Sequence, residues 1–274
     1  MNILQKIFSF YINASIHVAL AVYAFLRLTE QYVSLPYNEN LNYFIFFGTI
    51  TGYNFVKYAG VAKLHHRSLT NNLKIIQIFS LICFIVMCYY MCLVPFTTLL
   101  FSLPFTFLTI LYAIPFLSGF DKNLRQISYL KIIVVALVWT GFTVLIPYLD
   151  TAQTLTYNVF LLSLQRFLIV VVLILPFDIR DVKYDAISLQ TIPKKIGLEK
   201  TKRVGLSLML FALLIEYAIH AGDGFKNAFM VFFFIMLIFL MRAKINQSKY
   251  YSSFWVESLP IIWWLVLLGF HNIF

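Results

Sequence analysis

The chain has 274 residues, of which 61% are hydrophobic and only 12% charged. A soluble domain is nearer half apolar and a quarter charged, so a single globular core cannot hide this much apolar surface and a bilayer is its natural solvent. The formal net charge of +10 does not point to nucleic acid, because the 21 lysines and arginines are scattered through short loops between apolar runs, the positive-inside pattern rather than a basic groove.

A helical span needs about 20 mostly apolar residues, and nine stretches meet that need: 8–29, 40–60, 75–95, 97–116, 130–149, 155–177, 204–221, 225–242 and 254–272. The first is too long for a signal-peptide core and no A-x-A site follows it, so it reads as a retained helix. The third and fourth meet at Val94-Pro95, a tight turn. Together they are long enough to cross the bilayer twice. With the N-terminus in the cytoplasm, 18 of the 21 basic residues fall in inside segments. Arg27 and Lys226 are left outside, and Arg166 lies within the sixth span. The polar loops after spans two and six occupy equivalent places in two four-helix halves, and paired halves of a membrane protein often meet at a central site.

Most polar residues inside the runs read as structural. Cys83, Cys88 and Cys92 share one run without a CxxC pair and behave as small hydrophobes. Arg166 could pair with Glu216 as interhelical glue, and His17 could make an interhelical hydrogen bond. Glu257, at the start of the last span, could approach a site at the inside face, or simply start a helix.

The segment 176–197, PFDIRDVKYDAISLQTIPKKIG, carries more chemistry. Asp178, Asp181 and Asp185 stand at i, i+3 and i+7, one face of a helix. Carboxylates so close repel one another unless a cation lies among them, and oxygen-rich acidic sites suit Mg²⁺ bridged to substrate phosphates. The other reading is a solvated loop whose acids pair with Arg180, Lys183, Lys194 and Lys195.

Arg180-Asp181, Asp185, Thr191 and Gly197 together resemble the second Asp-rich motif of the UbiA superfamily of intramembrane prenyltransferases, in its menaquinone-type wording. Asp178 stands where the family has a second Asn, Ser188 where it has Gly, and Pro193 where it has a small residue. Tyr112-Ala-Ile-Pro115 is similar to the family's YxxPP segment. The family's first motif, NDxxDxxxD at the end of span two, is degenerate: Asn54 survives, but Phe55, Tyr58 and Ala62 replace the acids.

The resemblance implies an all-α integral membrane protein in one domain over 1–274, with about nine spans, both motifs cytoplasmic, the N-terminus inside and the C-terminus outside. It implies transfer of an isoprenoid chain from a prenyl diphosphate to an aromatic or other lipid-soluble acceptor. Asp178, Asp181 and Asp185 would hold Mg²⁺, Tyr112 would lie near the reacting carbon, and Asn54, Lys57, Tyr58, Arg67, Arg180 and Lys194 would bind the diphosphate. The loss of the first-motif acids leaves a second expectation open: a catalytically impaired protein of the same fold that binds isoprenoids or lipids, or scaffolds a partner.

Overall fold

The computed structural model describes residues 2–62, 71–113, 130–183, 191–219 and 221–273. Their apolar runs all form helices. Helices α1 (Ile3–Asn13) and α2 (Ile16–Tyr32) make a pair bent by 55°. Next come α3 (Glu39–Ala62), α4 (Asn71–Leu93) and α5 (Phe96–Ala113), the last two separated by the expected turn at Val94-Pro95. The fifth run is α6 (Leu130–Thr140) and α7 (Ile146–Asp150), joined through a π-helical turn at Gly141–Leu145. Then follow α8 (Tyr157–Asp181), the short α9 (Ile192–Ile196), α10 (Leu198–Ala218) and α11 (Asp223–Arg242). A second π-helical turn, Tyr251–Val256, leads into α12 (Leu259–Ile273).

Among the described residues six helices are long and apolar enough to cross a membrane, or seven if the bent α1–α2 pair is one span. The expected nine is not reached by this measure. Helices α3 and α10 have 24 and 21 residues, so length does not exclude them. They fall short on composition: α3 carries Asn42, Asn54 and Lys57, and α10 carries Lys200, Lys202, Arg203 and Glu216.

Neighbours along the chain pack side by side, α2 on α3, α3 on α4, α6 on α8, α8 on α10, and α10 on α11. Helix α12 packs on both α11 and α2, which closes the ring. Helix α8 is the most buried span, 67% of its apolar window, whereas α4 and α5 are 11% buried and turn most of their surface outward. Cys83 on α4 is buried as expected, but Cys92 is exposed, because α4 touches little besides α3.

Two charges deep in the bundle interior, Arg166 and Glu216, are met by neutral groups and rings. The fully buried Arg166 donates from Nη1 to the Phe25 carbonyl (2.8 Å), and its guanidinium lies over the Phe25 ring, 4.0 Å from the centroid. The expected Arg166–Glu216 pair does not form. Glu216 accepts from Tyr32 Oη (2.8 Å) and from Nε2 of Gln165, one residue before Arg166 (2.7 Å). Successive residues on a helix point about 100° apart, so α8 offers its amide to α10 and its guanidinium to α2. At one end of the bundle, Asp150 accepts from Thr98 (2.6 Å) and Asn38 (2.7 Å), fastening α7 to α5 and to the α2–α3 loop.

The π-helical turn in the fifth run rests on close contact with α5. A Cβ built on Gly141 would lie 2.4 Å from two ring carbons of Phe105. Gly141→Ala should therefore destabilise the bundle by about 1–3 kcal/mol through overpacking. The check is thermal unfolding in detergent, and Gly141→Ala combined with Phe105→Leu should recover part of the loss.

Candidate active site

The end of the bundle formed by the α1–α2 break, the C-terminal ends of α3 and α8, and the π-helical start of the last helix collects the polar residues singled out in the sequence. Its first part grows from the break. Ser15 adopts a left-handed conformation (φ 62°), which halts α1 and leaves its last carbonyls without helical partners. Three residues of α3 close this joint. Asn54 Nδ2 donates to the Ala14 carbonyl (3.1 Å) while its Oδ1 accepts from Ser15 Oγ (2.8 Å). Tyr58 Oη donates to the Asn13 carbonyl (3.0 Å), and Lys57 Nζ donates to Ser15 Oγ (2.8 Å). The spacing i, i+3, i+4 puts all three on one side of α3, and the Lys57 ammonium meets the partial negative charge of the α1 C-terminus. Asn54 is 3% exposed with both amide atoms engaged, whereas Lys57 keeps exposed surface. Of the three α3 residues expected to face a diphosphate, Lys57 is the most exposed, Tyr58 is half-buried and Asn54 is buried.

The second part is the end of α8. The sequence spacing anticipates three aspartates on one helical face through residue 185. The helix instead ends at Asp181, with a turn at Val182 and Lys183, and Asp185 lies outside the described residues, as does Arg67 of the α3–α4 connection. Asp178 is 1% exposed and forms an ion pair with Lys131 at the start of α6 (2.6 Å). Asp181 is partly exposed and held by its neighbour Arg180, through Nε (2.7 Å) and Nη2 (3.2 Å). Arg180 also lies over the Phe177 ring, 5.3 Å from its centroid. Below this pair Gln247 Nε2 donates to the Pro176 carbonyl (2.9 Å) and to Ser252 Oγ (2.8 Å), tying α8 to the second π-helical turn. Thr191 is buried at the N-terminus of α9, and Lys194 lies half-buried in its last turn.

Beside these two parts stand Tyr53 and Trp139, which the sequence did not single out, together with Tyr112, Glu257 and His17, which it did. Trp139 Nε1 on α6 donates to Tyr53 Oη on α3 (2.8 Å), and Tyr112 stands at the end of α5. Glu257 closes the second π-helical turn, its N–H donating to the Ser252 carbonyl (3.2 Å). Lys57 from α3 and Arg180 from α8 both act electrostatically on its carboxylate. Tyr53 and Glu257 are half-buried. His17 anchors the wall: its Nδ1 accepts from Tyr11 Oη (2.7 Å), which leaves Nε2–H to donate to the Phe254 carbonyl (2.9 Å). The interhelical bond expected of His17 is therefore present.

Mg²⁺ can be tested against this geometry. It favours octahedral oxygen ligands, usually one or two carboxylates plus substrate phosphates. Among the described residues no three His, Cys, Asp or Glu side chains stand close enough to hold a metal ion, and Asp178 and Asp181 each face a cation of the protein. The described carboxylates do not by themselves form a magnesium cage.

No family model matches the sequence, and no curated protein matches it. Solved structures do match over nearly the whole chain. One is of a UbiA homolog from Archaeoglobus fulgidus bound to DMAPP and Mg²⁺, at a TM-score of 0.58 and 11% identity, covering 95% of this chain and 97% of that one. Another comes from a study of digeranylgeranylglyceryl phosphate synthase in membranes, at 0.57 and 15% identity, covering 97% of both chains. The Archaeoglobus homolog bound to GPP and Mg²⁺ matches at 0.51 and 9% identity, covering 96% of both chains. The architecture of this chain, from the bent first pair to the last helix that closes the ring, is the UbiA fold.

Proposed function

We propose that the chain is a membrane prenyltransferase that moves an isoprenoid chain from a prenyl diphosphate to an aromatic or other lipid-soluble acceptor. One observation carries the reading: in a bundle of this fold, the α1–α2 break that holds Lys57 and the end of α8 that carries Arg180 are both tied to the second π-helical turn, through His17 and Gln247, which brings the two cations to one end of the bundle. We place this end of the bundle at the cytoplasmic face, where the positive-inside pattern puts its loops.

Lys57 and Arg180, with Lys194 beside them and Arg67 from the α3–α4 connection, would neutralise the diphosphate oxygens. The C1–oxygen bond of the donor breaks with its electron pair leaving on pyrophosphate, and that developing charge is what the cations stabilise. Tyr53, Tyr112 and Trp139 would shield the allylic cation from water, and their ring faces favour positive charge. Mg²⁺ enters this reading as an ion that would accompany the diphosphate, with Asp178, Asp181 and Asp185 as the ligands that the motif implies. Its chemistry would be added neutralisation of the leaving group.

The test is binding and turnover by the protein reconstituted in liposomes, with dimethylallyl, geranyl and longer diphosphates across a Mg²⁺ titration. Saturable binding and acceptor-dependent release of pyrophosphate are expected. No binding of any prenyl diphosphate would overturn the reading. A second reading, isoprenoid binding without catalysis, is favoured by Phe55, Tyr58 and Ala62 standing where the family has acids and by the engagement of Asn54 and Tyr58 in the α1–α2 joint. Binding without turnover would select it.

A further inference from the structure

Each described aspartate of the second Asp-rich motif already faces a cation of the protein. Asp178 at the end of α8 pairs with Lys131 Nζ at the start of α6 (2.6 Å), and Asp181 pairs with Arg180 (2.7 Å). One magnesium ion shared by two carboxylates leaves no net charge, and one ammonium with one guanidinium does the same. Room decides between the two arrangements at Asp178. Mg²⁺ gives up its waters reluctantly and usually keeps several. A carboxylate that is 1% exposed, with an ammonium against it, is closed to a hydrated ion. The Lys131 side chain is 17% exposed, and an ammonium carries three N–H donors, so Lys131 can hold Asp178 and still meet a phosphate oxygen. Its position suits that contact. Trp139 of α6 touches Tyr53 of α3 at 2.8 Å. Lys131 precedes Trp139 by eight residues and Lys57 follows Tyr53 by four, about 12 Å and about 6 Å along their helices. Both displacements run toward the same end, because the end of α8 and the α1–α2 break are tied to one π-helical turn through Gln247 and His17. Lys57, Lys131 and Arg180 thus stand on three helices at one end of the bundle.

We infer that Lys131 takes the place of a metal ion at Asp178 and is itself a diphosphate-binding residue, so that the donor binds without requiring Mg²⁺. The inference rests on the prenyltransferase reading, and Lys131 belongs to neither Asp-rich motif. The other half of the chain shows the same exchange, since Lys57 follows Asn54 where Phe55, Tyr58 and Ala62 replace the acids. Asp178 is then a positioning residue. It holds the ammonium at 2.6 Å and fixes the direction in which the remaining N–H donors point. Among the described residues no three acidic, His or Cys side chains converge to offer a metal an alternative seat.

The experiment measures geranyl diphosphate binding by calorimetry in detergent, once with EDTA and once at saturating Mg²⁺. It compares wild type, Asp178→Ala, and Asp178→Ala combined with Lys131→Met, and thermal unfolding reports the folding of each separately. Wild-type affinity should differ by less than about tenfold between the two conditions. The double variant removes both charges of the pair together and keeps the fold. Its affinity in EDTA should fall roughly ten- to a hundredfold, the loss of one charge-assisted contact. Asp178→Ala keeps the ammonium and should bind in EDTA at least as tightly as wild type, the opposite of what losing a metal ligand does. Wild type that binds the donor with Mg²⁺ but not in EDTA would overturn the role of Lys131 while leaving the prenyltransferase reading intact. So would a folded double variant with wild-type affinity in EDTA. Wild type that binds no prenyl diphosphate in either condition would end that reading and the inference with it.

Discussion

Asp178→Ala should cost about 3–5 kcal/mol of stability, the range for removing one partner of a buried ion pair. Asp178 is 1% exposed and its partner Lys131 is only 17% exposed, so the ammonium left behind would have little water to turn to. The pair also fixes the C-terminal end of α8 to the start of α6. Thermal unfolding in detergent measures the loss. The double variant Asp178→Ala with Lys131→Met should recover much of it, because both charges of the pair are then removed together. The spacing in sequence makes Asp178 a metal ligand, and the two roles separate cleanly. As a ligand, it would show lost Mg²⁺-dependent donor binding at unchanged stability. As half of the pair, it would show lost stability that the second substitution repairs. Equal stability of wild type, single and double variants would end the ion-pair account. Asp181→Ala serves as the comparison, since a partly exposed pair with an adjacent arginine contributes little to stability.

The helices were legible in the sequence because a span is a sum: twenty apolar residues register whatever their neighbours do. Each expected stretch, from 8–29 to 254–272, corresponds to a described helix or helix pair. Features that depend on a single residue's conformation or partner were not legible in the same way. The break at Ser15 sits inside an apolar run, signalled only by the polar Asn13 and Ser15, and the two π-helical turns leave no mark in hydropathy. The α8 terminus shows the same limit, because an i, i+3, i+7 pattern assumes a helix through residue 185 and the helix stops at Asp181.

Partner choice is the deeper difficulty. Arg166 and Glu216 are the natural pair by charge, yet a rotation of one residue along α8 gives Glu216 to Gln165 and Arg166 to the Phe25 ring. Asn54 reads as the remnant of an acidic motif, and what holds it in place is the unsatisfied end of α1, 40 residues earlier in the chain. Glu257 is visible as an acid at a helix start. Where its carboxylate lies depends on α12 closing the ring against α2.

Lys57→Ala should weaken prenyl-diphosphate binding roughly ten- to a hundredfold, the equivalent of ~1.5–3 kcal/mol for one charge-assisted contact. The residue stands where the family's first acidic cluster would be, and it brings a cation in place of metal-binding acids. It also fastens the α1–α2 joint through Ser15 Oγ, so a loss of affinity alone does not reveal which role failed. Ser15→Ala separates them. That variant removes the hydroxyl that Lys57 and Asn54 share and loosens the joint, but leaves the ammonium free to meet a phosphate oxygen. Donor affinity of Ser15→Ala should therefore equal or exceed that of wild type while its stability falls. Lys57→Met, which keeps the apolar stem of the side chain, should lose affinity as Lys57→Ala does. Binding is measured by calorimetry in detergent with geranyl diphosphate, at low and at saturating Mg²⁺. The deficit of the lysine variants should be largest at low Mg²⁺, where the protein's own cations carry the neutralisation alone. Wild-type affinity in both lysine variants at low Mg²⁺, with stability lowered as in Ser15→Ala, would make Lys57 a strut of the joint and leave the diphosphate to Arg180 and its neighbours.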